Sequence, residues 1–200
     1  MYTLLSGVWR YAFRKEEYSV LIIGLDNAGK TTFLEQTKTK FTRDYHMMNP
    51  GKITSTVGLN IGRIDVGGVR LGFWDLGGQS ELQALWDKYY LESHGVIYVV
   101  DSSDQERLHE SWRAFDRMLD SPALHGVPLL LICNKQDKPG CLSVAEIKTV
   151  FHESVDKLGH RDCTVLAVSA LEGTNVAEGI DWIRLRIERN KLRRPPKQDS

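Results

Sequence analysis

Apolar residues follow two rhythms along this chain. From Tyr2 to Phe13, Leu4, Leu5, Val8, Trp9, Ala12 and Phe13 recur at i, i+3 and i+4, with Arg10, Arg14 and Lys15 gathered at the end. That spacing predicts an amphipathic helix in a separate N-terminal segment, residues 1–17. Ser19-Val20-Leu21-Ile22-Ile23 is instead a nearly unbroken apolar run, the pattern of a strand buried on both faces. Similar runs recur at Gly95 to Val100, Pro128 to Cys133 and, more weakly, Thr164 to Val168. Helical patterns separate them. One begins near Lys30, two open on Ser103-Asp104-Gln105-Glu106 and Ser143-Val144-Ala145-Glu146 with capping-box spacing, and the last runs from about Val176 to Asn190. Such alternation predicts an α/β domain with a mostly parallel sheet and helices on both faces. Leu59 to Val66 and Val69 to Trp74 break it, because only Gly67-Gly68 joins them, a pair that tolerates the positive φ of a two-residue hairpin. One edge of a six-stranded mixed sheet is therefore antiparallel. The chain leaves its last helix through Arg193-Arg194-Pro195-Pro196-Lys197, which reads as a flexible basic tail over 193–200 and leaves 18–192 as the folded domain.

Composition narrows the function classes. Two hundred residues, 42% of them hydrophobic, suit one globular domain rather than two. Lys plus Arg and Asp plus Glu each total 26, so no bulk positive field points to nucleic acid. The chain is expected to be a monomer. Cys133, Cys141 and Cys163 are odd in number and lack zinc-ligand spacing, which predicts free thiols in a reducing compartment. No run reaches the roughly 18 apolar residues of a membrane span, and the first residues lack the pattern of a cleaved signal. His46, His94, His109, His125, His152 and His160 have neither metal-ligand spacing nor a nucleophile beside them in sequence and are expected to be surface or structural.

Three short segments carry the chemistry. Gly24-Leu25-Asp26-Asn27-Ala28-Gly29-Lys30-Thr31, followed by Thr32, fits the pattern G-x-x-x-x-G-K-[ST] between a buried strand and a helix. Backbone N–H groups of Gly24, Asp26, Asn27, Ala28, Gly29, Lys30, Thr31 and Thr32 then converge on phosphate oxygens, with the Lys30 ammonium on the β- and γ-phosphates and the Thr31 hydroxyl on Mg²⁺. Asp75-Leu76-Gly77-Gly78-Gln79 ends a predicted strand, placing Asp75 on the metal side, Gly78 against a γ-phosphate and Gln79 where it orients an attacking water. Asn134-Lys135-Gln136-Asp137 follows another buried strand, and the carboxylate of Asp137 suits the N1–H and exocyclic amine of guanine. Two other readings share parts of this set. A metabolic ATPase or nucleotide kinase has the phosphate loop without the Asp137 logic, and a pure binding module accommodates everything except Gln79.

With Thr54-Ser55-Thr56-Val57-Gly58-Leu59-Asn60 and Val99-Val100-Asp101-Ser102-Ser103-Asp104, the three segments resemble the ADP-ribosylation factor family of small GTPases from about Ser19 to Trp182. The resemblance implies the P-loop small-GTPase fold, GTP/GDP and Mg²⁺ as ligands, and slow hydrolysis helped by a GTPase-activating protein, with Lys30 and Gln79 in catalysis. It also implies a guanine nucleotide exchange factor and effector proteins. Position by position, Thr56 becomes a metal-side switch residue beside Thr31 and Asp75, and Ser169-Ala170 joins Asn134, Lys135 and Asp137 around the base. Leu59, Trp74 and Tyr89 become the effector-facing triad. No clear candidate for an arginine supplied in cis emerges.

Four departures from the family pattern stand out. The segment Arg43 to Ile53 is longer than usual, Ser55 replaces a common proline, Leu59 replaces an aromatic, and Tyr2 occupies the position of the glycine that accepts a myristoyl group. Without an acyl chain, a helix packed against the domain with GDP and released with GTP binds lipid only marginally, so a second contact is required. The family resemblance suggests an acetylated Met1 and a membrane-protein receptor. Arg184, Arg186, Arg189, Lys191, Arg193, Arg194 and Lys197 either assist on anionic lipid or form a solvated helix end. The expected location is cytoplasmic and peripheral on Golgi or trans-Golgi network membrane.

Overall fold

The structure, a computed structural model, describes residues 15–197. The predicted N-terminal helix lies almost wholly outside the described residues; Lys15 and Glu16 are not helical, and the first strand already starts at Glu17. Six strands, β1 (Glu17–Ile23), β2 (Leu59–Val66), β3 (Val69–Leu76), β4 (Gly95–Asp101), β5 (Leu129–Asn134) and β6 (Cys163–Ala167), form one sheet in the order β2-β3-β1-β4-β5-β6. All pairings are parallel except β2 with β3, whose register runs from Leu59 opposite Leu76 to Val66 opposite Val69. Gly67 and Gly68 both take positive φ in the turn, as the two-residue link requires.

The central strands read as continuous apolar runs because they are covered on both sides. Leu21, Ile23, Val96, Tyr98, Val100, Leu129 and Leu131 face α4 (Leu108–Leu119) and α5 (Val144–Phe151). Val20, Ile22, Ile97, Val99, Leu130 and Ile132 face α1 (Lys30–Phe41) and α7 (Val176–Arg189). Tyr98, fully buried, donates its hydroxyl to the Ser111 carbonyl at 2.7 Å, so its burial leaves no unpaired donor. Two four-residue helices, α2 (Ser80–Gln83) and α3 (Asp87–Tyr90), follow β3, and α6 (Val155–Leu158) precedes β6. All three cysteines are free, and burial pushes the Cys133 thiol up to about 12, which makes it inert. Among the described residues no helix is long and apolar enough to cross a membrane.

Two local expectations need correction. The capping box of Ser143 and Glu146 forms as its spacing predicts, but that of Ser103 and Glu106 does not. The Asp101 carboxylate accepts both the N–H and the hydroxyl of Ser103, and α4 starts only at Leu108. The basic tail is docked through Lys197. Arg194 donates to the carbonyls of Tyr90, Leu91, Ser93 and Ala123, and the Lys197 N–H donates to the Glu17 carbonyl at 2.8 Å. His94 completes this anchor. Its Nδ1 accepts the Ser19 N–H at 2.9 Å, so Nε2 carries the proton and donates to the Pro195 carbonyl at 2.8 Å. Arginine and proline in sequence read as a solvated end, yet here the guanidinium gathers carbonyls of the turn after α3 together with that of Ala123.

Candidate functional site

Five parallel strands end at one edge of the sheet, and the three segments singled out in sequence meet there, as open α/β sheets dictate. Two adjoining clefts, of about 600 and 480 Å³, share Gly29, Thr32, Pro50 and Lys135. Asp26, Asn27, Lys30, Thr31, Thr54, Ser55, Thr56, Gly78 and Gln79 line the first; Asn134, Asp137 and Ala170 line the second. The residues expected around the phosphates and those expected around the base thus lie side by side.

At the phosphate end, β1 passes into the loop through Gly24, whose φ is +140° and where a Cβ would stand 2.2 Å from the Val99 carbonyl oxygen. Lys30 is 5% exposed and its ammonium donates to the carbonyls of Gly24 (3.0 Å) and Leu25 (2.7 Å). Burial lowers its pKa to about 8, although Asp75 and Asp26 work against the shift. A phosphate arriving beside this group raises that value. Between the free and bound pKa values, nucleotide binding therefore takes up a proton, and affinity falls as pH rises above about 8. Calorimetry at pH 8.5 in buffers of different ionisation heat should show this uptake; a buffer-independent heat would refute it.

Across the cleft, the chain returns in β3 and aims Asp75, 0% exposed, at Thr31. The Thr31 hydroxyl donates to Asp75 Oδ2 at 2.7 Å and lies 2.8 Å from the Thr56 hydroxyl, while Asn60 Nδ2 reaches the same oxygen at 3.3 Å. Burial raises the Asp75 pKa against these hydrogen bonds and Lys30. Its Oδ1 is buried with no partner in the protein. Two hydroxyls and a carboxylate with one uncommitted oxygen suit a hard cation such as Mg²⁺, which keeps water and phosphate ligands. Among the described residues no cluster of three His, Cys, Asp or Glu could hold an ion instead. Thr56 reaches this point although the segment before it is long. Glu35 on α1, 3% exposed, accepts the Tyr45 hydroxyl at 2.7 Å and the Met48 N–H at 3.3 Å and pairs with Lys38, tying the segment to the helix.

Gly78 is wedged against the loop, since a Cβ there would lie 2.3 Å from the Asp26 amide nitrogen. Two residues that sequence reasoning missed hold it. Gln83 Nε2 donates to the Gly78 carbonyl at 3.1 Å, and the buried Trp86 Nε1 donates to the Gly77 carbonyl at 3.0 Å. Gln79 sits beside them with its Oε1 buried and unpartnered in the protein.

At the base end, Asn134 ties the segments together, donating to the Ala28 carbonyl (2.8 Å) and accepting the Ala170 N–H (3.0 Å). Lys135 takes a left-handed φ of 64° and donates to Asp101 at 2.6 Å. Ser169 donates its hydroxyl to Asp137 at 2.5 Å. All the sequence-predicted guanine residues therefore converge.

The expected effector face is less uniform. Leu59 is 37% exposed on the edge strand, while Trp74 and Tyr89 are partly buried against each other edge to face at 5.4 Å. The Lys197 ammonium lies 4.3 Å over the Trp74 ring, so the docked tail covers part of this face.

Residues 4–187 match the model of the ADP-ribosylation factor family. The chain is 61% identical to ADP-ribosylation factor-related protein 1 of Bos taurus over 198 residues, covering 99% of this chain and 98% of the relative. It is 43% identical to ADP-ribosylation factor-like protein 3 of Saccharomyces cerevisiae, covering 98% of each. Among solved structures, the Arl6 BBS3 small GTPase of Trypanosoma brucei with bound nucleotide analogue GppNp superposes with a TM-score of 0.75 at 32% identity, covering 86% of this chain and 98% of that one.

Proposed function

The chain belongs to the ADP-ribosylation factor family, and from that premise we propose a switch that recruits effectors to Golgi and trans-Golgi network membranes, with hydrolysis that depends on an activating partner. Like other members it is a GTPase that binds GTP or GDP with Mg²⁺ and works with exchange factors, activating proteins and effectors. We read it as a monomer, cytoplasmic with GDP and peripheral on membrane with GTP.

One observation carries this reading. Thr56, at the end of the long segment tied to α1, stands 2.8 Å from Thr31 of the phosphate loop and shares its carboxylate, Asp75, at the end of β3. Loss of a terminal phosphate removes the common ligand of that segment, the loop and Gly78, so all three rearrange together. In hydrolysis, Lys30 and the loop amides neutralise charge on the phosphates, and Gln79 aligns the attacking water from its fixed place beside Gly78. Thr31, Thr56 and Asp75 would hold Mg²⁺, which when bound would supply positive charge against the phosphates.

The membrane contact rests on the sequence of residues 1–14. Trp9 and Phe13 suit the interface, and Tyr2 in place of glycine makes a receptor, contacted through an acetylated Met1, the second anchor. Flotation with anionic liposomes should be several-fold greater with a non-hydrolysable GTP analogue than with GDP and fall when the residues before Lys15 are removed. Equal flotation in both nucleotide states would overturn the proposal.

A further inference from the structure

Arg107 belongs to none of the three recognised segments, yet it reaches the phosphate loop. It precedes α4, where its N–H is held by Asp104 Oδ1 at 3.2 Å. Its guanidinium forks between two carboxylates: Nε donates to Glu110 at 3.0 Å and Nη2 to Asp26 at 2.6 Å, a contact spanning 81 residues of sequence. The Arg107 and Asp26 side chains are 32% and 26% exposed, so water screens the pair only in part. Asp26 lies in the wall of the cleft that holds Lys30, Thr31, Thr56 and Gly78, and its amide nitrogen is where Gly78 closes on the loop. A carboxylate is an unexpected lining for a polyphosphate site.

We propose that Arg107 is a positioning residue that sets the pocket's preference for a terminal phosphate, by holding and neutralising the Asp26 carboxylate at the place where the third phosphate of GTP is bound. This rests on the nucleotide function argued above. GDP ends one phosphate earlier, farther from Asp26, so a change in charge at Asp26 acts more strongly on the triphosphate. Lys30 feels the same two groups with opposite signs, since Asp26 favours its charged form and Arg107 disfavours it. The pair is thus electrically part of the phosphate site although Arg107 lies outside the loop.

The sign of two substitutions separates this from a propping role. Affinities for GDP and for a non-hydrolysable GTP analogue, measured on full-length protein stripped of nucleotide, give a ratio for each variant. Arg107→Gln should weaken the GTP analogue roughly tenfold and GDP by no more than about twofold. Arg107→Lys, which keeps the charge, should recover most of the loss. Asp26→Asn keeps an acceptor for Arg107 but removes the negative charge, and should move the ratio the other way, toward the triphosphate, and Asp26→Asn combined with Arg107→Gln should bring it back near the parent value. Parallel weakening of both nucleotides by Arg107→Gln, or an Asp26→Asn ratio shifted toward GDP, would overturn the proposal. So would unchanged affinities with hydrolysis slowed tenfold, which would make Arg107 a group acting on the transition state itself. If Arg107→Gln does not fold, the sign for Asp26→Asn still decides. Failure of the parent protein to bind either nucleotide would instead remove the guanine site on which the inference stands.

Discussion

Asp137→Asn should lose guanine nucleotide by a factor of roughly 10² to 10³, about 3–4 kcal/mol, and accept xanthosine diphosphate in its place. Guanine presents two donors on this edge, N1–H and the exocyclic amine, and a carboxylate offers two acceptors to match. The amide keeps one acceptor but turns the other oxygen into a donor that faces the amine, leaving a desolvated donor with no partner and removing a charge-assisted hydrogen bond. Xanthine carries a carbonyl where guanine carries the amine, so the same amide fits it. The scaffold around Asp137 is suited to such a swap, because Asn134 and not Asp137 ties the loop to Ala170, and Ser169 can hydrogen-bond to an amide oxygen as well as to a carboxylate. Competition of unlabelled guanosine and xanthosine diphosphates against a fluorescent nucleotide measures the outcome. Undiminished affinity for GDP would show that the base lies elsewhere.

What sequence revealed and what it hid follow one physical division. The phosphate loop, the Asp75 turn and the Asn134 segment are legible because each is local: glycines and one charged or hydroxyl side chain within a few residues of a buried strand's end. Their meeting also follows from sequence once the strands are parallel. Contacts between distant segments are hidden. Trp86 and Gln83 look like ordinary members of a polar helical stretch, and only the path of the chain after Gln79 brings them to the carbonyls of Gly77 and Gly78. Arg107 lies in a helix start rich in charge, where an i,i+3 pair with Glu110 is the natural reading and the longer reach to Asp26 has no sequence signal. The docking of the tail is hidden for a related reason. Composition predicts solvation, but the open carbonyls after α3 offer Arg194 several acceptors at once, and His94 supplies a further hydrogen bond. The Ser103 box failed because a closer acceptor, Asp101, competed for the same hydroxyl.

Gln79→Leu should leave nucleotide affinity near the parent value yet cut activator-stimulated hydrolysis by about 10² to 10³, or roughly 3–4 kcal/mol of barrier. Gln79 makes no hydrogen bond through Oε1 within the protein although that atom is buried, so the ground state loses little when the amide is removed. An unpartnered buried acceptor is instead a cost to folding, and leucine of similar volume removes it, which predicts a melting temperature equal to or slightly above the parent's. That combination of unchanged binding, undiminished stability and lost turnover distinguishes a water-orienting group from a structural one. Gln83 and Trp86 fix the two glycines before Gln79, and Gln79 itself stands at the start of α2 with extended backbone, so the backbone that carries its amide is set by the fold. Single-turnover hydrolysis with saturating activator is the deciding measurement, and a rate equal to that of the unsubstituted protein would exclude Gln79 from the reaction. A chain arrested in this way stays in its GTP form, so its flotation with liposomes should match that of the parent loaded with the non-hydrolysable analogue even after hours with the activator.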